Sequence, residues 1–412
     1  MKYGLIGEKL SHSFSKEVHA RLADYEYEIC EIAKDKLPSF MEQKDFRAIN
    51  VTIPYKEAVI PYLYYISDEA KAIGAVNTVV NRDGKLYGYN TDFFGMSSLF
   101  DYMKLSVKNK KAVILGSGGT AKTANAVLKH LGASEVITVS RQEKEGVITY
   151  EDLYSKHIDA EIIVNTTPVG MYPDNNSIPI DISKFRNLCG VVDAIYNPLR
   201  TGLVLAAKER EINAEGGLYM LVAQAVYASE IFLDTKYSSE TLNDVYQSIL
   251  AEKENIVLIG MPSSGKSTVG SILADKLSRP LYDTDALIVE SEDKFISQIF
   301  KEVGKDGFRD IETRIIANIS SQNSLIIATG GGAVLRKENV SKLKQNGKIF
   351  FLDRSPDNLL PTEDRPLSTT MEAMMKLYHE RYPIYSAASD ITVNGDNSPE
   401  DVATEIIGGF NK

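Results

Sequence analysis

The sequence predicts an α/β protein of more than one domain, and three observations carry that prediction. Apolar strand-like runs alternate with amphipathic helix-like stretches almost throughout, the pattern of parallel βαβ units. Two glycine-rich turns, "GSGGTAKTA" at 116–124 and "GMPSSGKST" at 260–268, each stand between such a run and a helix-like stretch. The chain has 412 residues, more than one ordinary core accommodates.

Composition narrows the class. Hydrophobic residues make up 43% and charged residues 25%, which is globular rather than disordered. A formal net charge of −10 gives no support to a broad nucleic-acid surface. Cys30 and Cys189 lie far apart with no CxxC spacing, so neither a disulfide framework nor a zinc site is expected. No apolar run approaches the roughly 20 residues of a membrane helix, and "MKYGLIGEKLSHS" reads as a strand and loop rather than a signal peptide. A soluble, cytoplasmic protein without membrane or nucleic-acid partners is the expectation, with its oligomeric state open.

In chain order, "KYGLIG", "FRAINVTIP", "AVNTVV" and "KLYGYNTD" are short strand candidates ending in polar or glycine-containing loops. From residue 110, "KKAVILGSGGTAKTANAVLKHLGASEVITVS" is one complete βαβ unit, with further strands at "EIIVNTT" and "GVVDAIY". "GLVLAAKEREI", "LYMLVAQAVYASEIFL" and "SSETLNDVYQSILAEKEN" read as helices, and "IVLIG" then starts a fresh strand. We therefore place one domain at 1–252 and a second domain at 253–412.

In the first turn, Gly116 permits the tight bend, while Gly118 and Gly119 let backbone approach a pyrophosphate at the start of the next helix. The following strand ends in Arg141 rather than an acid, with Lys144 nearby, and a cation there suits the 2′-phosphate of NADP. Seven segments then carry a resemblance: "SHSFSKEVHA", "NVTIPYKE", "AVNTVV", "YNTDFFG", "NTTPVGM", "DAIYNPLRTGL" and "GGLYMLVAQA". In that order they resemble the shikimate dehydrogenases over residues 1 to about 250, which implies a substrate part (1–100 and 204–252) and a Rossmann part (101–203) within the first domain. The resemblance implies reduction of 3-dehydroshikimate with NADPH, a reaction in which a carbonyl oxygen becomes an alkoxide and needs a proton and a nearby cation. It implies Lys56 and Asp92 as the catalytic pair. Ser13 and Ser15 would hold the substrate carboxylate, with Tyr196 as a third hydroxyl. Thr52, Asn77 and Gln224 would serve the ring hydroxyls, and Gly217 and Met220 would lie against the nicotinamide. His12 and His19 read as structural neighbours of the serines.

In the second turn, Gly260, Gly265, Lys266 and Ser267 meet the full phosphate-loop spacing. Backbone amides of such a loop cradle phosphates, the lysine reaches the terminal oxygens, and the hydroxyl ligates Mg²⁺. "LYDTDALI" places Asp283 and Asp285 two apart on a strand end, on one face by alternation. "GFRDIE", "TGGGAV", "EDRPL" and "ERYPIYSAAS" follow, and residues 254 to about 405 resemble shikimate kinase, a small P-loop kinase. That resemblance implies ATP as donor, with Thr268 beside Ser267 on the nucleotide and Asp283 behind the metal. Asp285 would be the base at the acceptor hydroxyl. Arg309 and Arg381 would clamp the substrate carboxylate, Gly330, Gly331 and Gly332 would admit backbone amides, and Arg365, on a lid, would neutralise charge on the transferring phosphoryl group. The stretch before "RPL" lacks the further basic residue usual in that family.

Together the halves imply a bifunctional enzyme that makes shikimate and phosphorylates its 3-hydroxyl, using NADP(H), ATP and Mg²⁺. Two other readings stay open on the residues alone: a metabolite sensor without turnover, and a dehydrogenase whose P-loop half is a nucleotide-binding or assembly module.

Overall fold

The computed structural model describes residues 1–10, 14–142, 144–359 and 370–410. Ser13 and Arg365 therefore lie outside the described residues, as does His12. The chain divides into two compact units, Met1–Ile249 and Leu250–Lys412.

The first unit contains two sheets. One comprises β1 (Tyr3–Gly7), β2 (Tyr27–Glu31), β3 (Ala48–Val51), β4 (Tyr65–Ile66), β5 (Thr78–Arg82) and β6 (Lys85–Tyr89), in the order β2-β1-β3-β5-β6-β4. It is mixed: β2 and β3 run parallel to β1, and β5 turns back antiparallel to β3. A two-residue turn at Asp83 and Gly84, both with positive φ, joins β5 to β6, as the Asp-Gly pair favours. β1 and β3 are buried along their whole length, whereas β2 is mostly exposed beyond Tyr27, which is why its apolar signature is weak.

The other sheet is fully parallel: β7 (Lys111–Leu115), β8 (Glu135–Val139), β9 (Ile162–Asn165), β10 (Gly190–Asp193) and β11 (Asn213–Glu215), ordered β11-β10-β9-β7-β8. Numbered within this sheet the order is 2-1-3-4-5, a doubly wound Rossmann-like arrangement with its switch point between β7 and β9. The return to the substrate part expected at residue 204 needs correction. Leu203, Val204, Ala207 and Ala214 are buried in one core with Val113, Ile163 and Val191, and β11 pairs with β10. The return falls after Glu215. Three residues with two polar side chains gave β11 no strand signal. The helices Thr91–Tyr102 and Leu218–Leu233 join the two lobes and pack on each other. A β-carbon on Gly95 would lie 2.6 Å from the Met220 carbonyl, so glycine sets how closely they approach.

The second unit is built on β12 (Asn255–Ile259), β13 (Leu281–Asp283), β14 (Ile326–Ala328), β15 (Gly347–Asp353) and β16 (Ile391–Asn394). All five are parallel, in the order β13-β14-β12-β15-β16. Val257, Ile259, Ile327, Ile349 and Phe351 face one core, and Ile256, Leu258, Ile326, Phe350 and Leu352 the other, so helices cover both sides. The helix Ile296–Ser320 bends at Gly304, whose φ of 70° and ψ of −174° interrupt it.

Candidate active sites

At the carboxyl end of β7, Gly116 has φ +106°, and the chain turns at once into the helix Gly119–His130. A β-carbon on Gly116 would lie 2.8 Å from Thr166 Oγ1, so both the turn and its neighbour exclude a side chain. Nothing lies within 4 Å of a β-carbon on Gly118 or Gly119, which leaves their backbone open at the start of the helix. Ser140, Arg141 and Gln142 follow β8. Arg141 is exposed, and Lys144 Nζ donates to Ser117 Oγ at 3.2 Å, reaching the glycine turn itself. An open backbone turn beside two cations fits a dinucleotide carrying an extra phosphate.

Beside this turn lies a cavity of about 630 Å³ lined from both lobes. Ser15, Thr52, Lys56, Asn77 and Asp92 come from the first lobe, Tyr196 from the loop after β10, and Gly217, Met220 and Gln224 from the returning helix. Lys56 Nζ sits 2.5 Å from Asp92 Oδ2, with side-chain exposures of 26% and 17%: shielded, yet open to a ligand. Asn77 Oδ1 accepts from Thr91 N at 2.7 Å, so its carbonyl is committed to the start of the Thr91–Tyr102 helix. Gln224 donates to the Leu221 carbonyl. Tyr196 packs against Phe14, and burial raises its phenol above the ordinary range. The turn carrying Tyr196 is fixed by Asp193, which accepts from Asn165, Thr201 and the Ile195 amide. Burial nevertheless holds the Asp193 carboxyl up at about 6. Gly217 caps the returning helix, and a β-carbon there would lie 2.3 Å from the Ala194 carbonyl.

His19 does not face this cavity. It is fully buried, stacked on Tyr27 at 4.0 Å, and Nδ1 pairs with the Tyr25 hydroxyl at 2.5 Å. Burial lowers its pKa to about 3, so it is a neutral core residue. Sequence reasoning did not single out Lys122 and Glu57, which form a 2.7 Å ion pair between the Gly119–His130 helix and the residue after Lys56.

In the second unit a cavity of about 550 Å³ opens where β12 ends. Gly260, Ser263 and Gly265 all have positive φ, and Gly265 caps the helix Lys266–Leu277. Lys266 Nζ donates to the carbonyls of Gly260 and Met261 at 3.0 and 2.8 Å, folded over the loop it would share with phosphate. Ser267 Oγ donates to Asp283 Oδ2 at 2.6 Å, and Thr268 lines the same cavity. A hydroxyl and a carboxylate in contact are hard oxygen donors, a fit for Mg²⁺ whose other ligands are water and phosphate. Among the described residues no cluster of three or more metal-binding side chains exists.

Asp283 and Asp285 both line the cavity, though not by strand alternation as expected. Asp283 ends β13 and caps the helix Thr284–Glu292, accepting from the Asp285 and Ala286 amides. Asp285 stands in that helix's first turn. Opposite them, Arg309 Nη1 meets Glu312 Oε2 at 2.5 Å, and Arg381 Nη1 donates to the Gly331 carbonyl at 2.7 Å. Burial pushes the Glu312 carboxyl above the usual glutamate range against the pull of Arg309. Arg309 Nε and Glu312 Oε1 are buried without hydrogen-bond partners among the described residues, in two side chains that line the cavity.

The glycines of "TGGG" have a use beyond the one expected of them. A β-carbon on Gly330 would lie 2.4 Å from Asp285 Oδ1, and one on Gly332 would lie 1.8 Å from Arg309 Nη2. They make room for the carboxylate and the guanidinium. Glu312 was missed as a functional residue, although its i,i+3 spacing from Arg309 inside "GFRDIE" was the available signal.

A dinucleotide turn with a lysine–aspartate pair in its cleft, and a P-loop sharing its cavity with an aspartate and two arginines, define a dehydrogenase and a phosphotransferase in one chain. Comparison with known proteins makes this particular. The family model described as shikimate dehydrogenase substrate binding domain matches residues 5–79, and that described as shikimate kinase matches residues 262–409. A shikimate dehydrogenase (NADP(+)) of Clostridium beijerinckii is 37% identical over 261 residues, which are 59% of this chain and 96% of that protein. The crystal structure of shikimate dehydrogenase 1 from Peptoclostridium difficile aligns with a TM-score of 0.55 at 38% identity, over 60% of this chain and 98% of its own. The Thermus thermophilus shikimate 5-dehydrogenase, solved with NADP(H) and shikimate, aligns with a TM-score of 0.55 at 27% identity, over 60% of this chain and 99% of its own. The chain belongs to the shikimate dehydrogenase family and carries a shikimate kinase domain behind it. It is a bifunctional shikimate-pathway enzyme.

Proposed function

We propose that residues 1–252 reduce 3-dehydroshikimate at the Lys56–Asp92 pair and that residues 253–412 phosphorylate the resulting 3-hydroxyl at Asp285. The observation that carries the reading is that each cavity sets the groups its reaction needs beside its own phosphate-binding turn. When bound, NADPH supplies hydride to the first site and Mg²⁺-ATP supplies the phosphoryl group to the second.

In the first site, Lys56 gives its proton to the oxygen of the ketone as that oxygen gains charge, and Asp92 holds the ammonium at 2.5 Å in the orientation this needs. Ser13, Ser15 and Tyr196 hold the substrate carboxylate. Thr52, Asn77 and Gln224 read the ring hydroxyls, Asn77 with its amide N–H because its carbonyl is already committed. Gly116, Gly118 and Gly119 hold the pyrophosphate, Arg141 the 2′-phosphate, and Gly217 and Met220 wall the nicotinamide.

In the second site, Asp285 takes the proton of the acceptor hydroxyl, and Arg309 and Arg381 fix the carboxylate on the far side of the ring. Gly260, Gly265, Lys266 and Thr268 hold the phosphates, with Ser267 and Asp283 on the metal. Arg365 neutralises charge on the transferring phosphoryl group. The substrates are small molecules of the shikimate class, and the protein acts in the cytoplasm without membrane or nucleic-acid partners. Among the described residues no helix is long and apolar enough to cross a membrane.

The test is separation of the two activities on the full chain. Lys266→Ala is expected to abolish shikimate-dependent ADP release while shikimate oxidation with NADP proceeds at the wild-type rate. ADP release that persists at full rate in this variant refutes the kinase assignment.

A further inference from the structure

Among the described residues four cations line the second cavity: Lys266, Arg309, Arg354 and Arg381. Three have protein partners across it, since Lys266 donates to loop carbonyls, Arg309 to Glu312, and Arg381 to Gly331. Arg354 differs. Its Nε, like that of Arg309, is buried without a hydrogen-bond partner, but among the described residues its guanidinium also makes none of the ion pairs or hydrogen bonds that hold the other three. Its electrostatic neighbour, Asp396, is engaged elsewhere: the Asp396 carboxylate accepts from Ser355 N at 3.1 Å, from the Ser355 hydroxyl, and from Asn358 Nδ2 at 2.8 Å.

The position of Arg354 is set by the sheet. β12 and β15 are neighbours with Ile259 opposite Phe351, so the residue just past β15 stands level with the phosphate loop that follows β12. A β-carbon on Gly265 would lie 3.8 Å from Arg354 Nη1. Strand order changes direction between β12 and β15, and ligands of open α/β sheets lie beyond the carboxyl ends at such a point. Between residues 353 and 369 the only cations are Arg354 and Arg365. The segment Asn358–Thr362, just ahead of Arg365, is uncharged.

We propose that Arg354 is a nucleotide-binding residue of the phosphotransferase site, its guanidinium contacting the phosphate chain of ATP from the β15 side of the loop. Mounted on a strand end and free of competing side-chain bonds, it provides from the rigid sheet a cation on the donor side. Its planar fork suits two oxygens of one phosphate. The inference rests on the reading of this cavity as the ATP site.

The test is titration calorimetry of the full chain, as wild type, Arg354→Ala and Arg354→Lys, with Mg²⁺-ADP, inorganic tripolyphosphate and shikimate as separate ligands. Arg354→Ala is expected to weaken ADP and tripolyphosphate alike by roughly 10–100-fold, the span for one charge-assisted contact. Shikimate affinity and the melting temperature of the ligand-free protein stay at wild-type values, and Arg354→Lys recovers part of the loss. Unchanged affinity for tripolyphosphate overturns the phosphate contact, even where ADP is weakened. A parallel loss of shikimate affinity or of melting temperature overturns it in favour of a structural role. Wild-type protein that binds neither ADP nor tripolyphosphate overturns the nucleotide reading of the cavity itself.

Discussion

Gly332→Ala is the most informative single change in the phosphotransferase half. The new methyl carbon would lie 1.8 Å from Arg309 Nη2 and 2.3 Å from Cζ, so the guanidinium must leave its place. That group is 7% exposed and paired with Glu312, which is wholly buried. Displacing it strands the Glu312 carboxylate, and breaking a buried pair from one side costs about 3–5 kcal/mol. At about 2–4 °C per kcal/mol for a domain of this size, the transition of the second unit should fall by roughly 6–20 °C. The lost contact to a substrate carboxylate should raise KM for shikimate by roughly 10–100-fold. The assay is ADP release against shikimate concentration, with shikimate-dependent NADP reduction by the same sample as the internal control. A variant with wild-type KM and an unmoved transition would falsify the claim that Gly332 exists to seat Arg309.

Three further outcomes are expected. Lys56→Ala should lower dehydrogenase kcat by roughly 10²–10⁴-fold and leave ADP release with added shikimate untouched; full-rate NADPH oxidation in this variant would sink the catalytic assignment. Arg141→Ala should raise KM for NADPH about tenfold and leave KM for NADH where it was, and equal effects on both would show that Arg141 does not read the 2′-phosphate. His19 is held neutral with a folded pKa of about 3, below the ordinary 6.5, so the unfolded chain takes up its proton first as pH falls. Its share of stability is full above 6.5 and is lost progressively below, about 2 kcal/mol of it between pH 7 and pH 5. His19→Phe, compared with wild type by chemical denaturation at both pH values, should show a shallower acid loss, and parallel losses would contradict the assignment.

Much of this molecule could be read in the sequence because its functional turns are backbone structures. Gly116 and Gly265 have positive φ and sit between a strand and a helix, a constraint that leaves a legible glycine pattern. Ordered motifs likewise named Lys56 with Asp92, and Asp285 with Arg309 and Arg381, which the fold gathers into two cavities. What escaped is of another kind. β11 is three residues long and owes its place to β10, so only the pairing reveals it. The common orientation of Asp283 and Asp285 comes from a helix cap, since a strand end that becomes a helix looks in sequence like a strand that continues. Glu312, wholly buried, and Arg354, half-buried at the cavity, resemble surface charges in sequence, because a charged letter carries no record of what covers it.

One chain should make a hydroxyl and then phosphorylate it. The direct measurement supplies 3-dehydroshikimate, NADPH, ATP and Mg²⁺ to the purified chain and follows NADPH oxidation, ADP release and phosphorylated product together. Shikimate 3-phosphate is expected to accumulate with one ADP formed for each NADPH consumed once the reaction has run to completion. NADPH consumption with no ADP release, even after shikimate is added directly, contradicts that expectation.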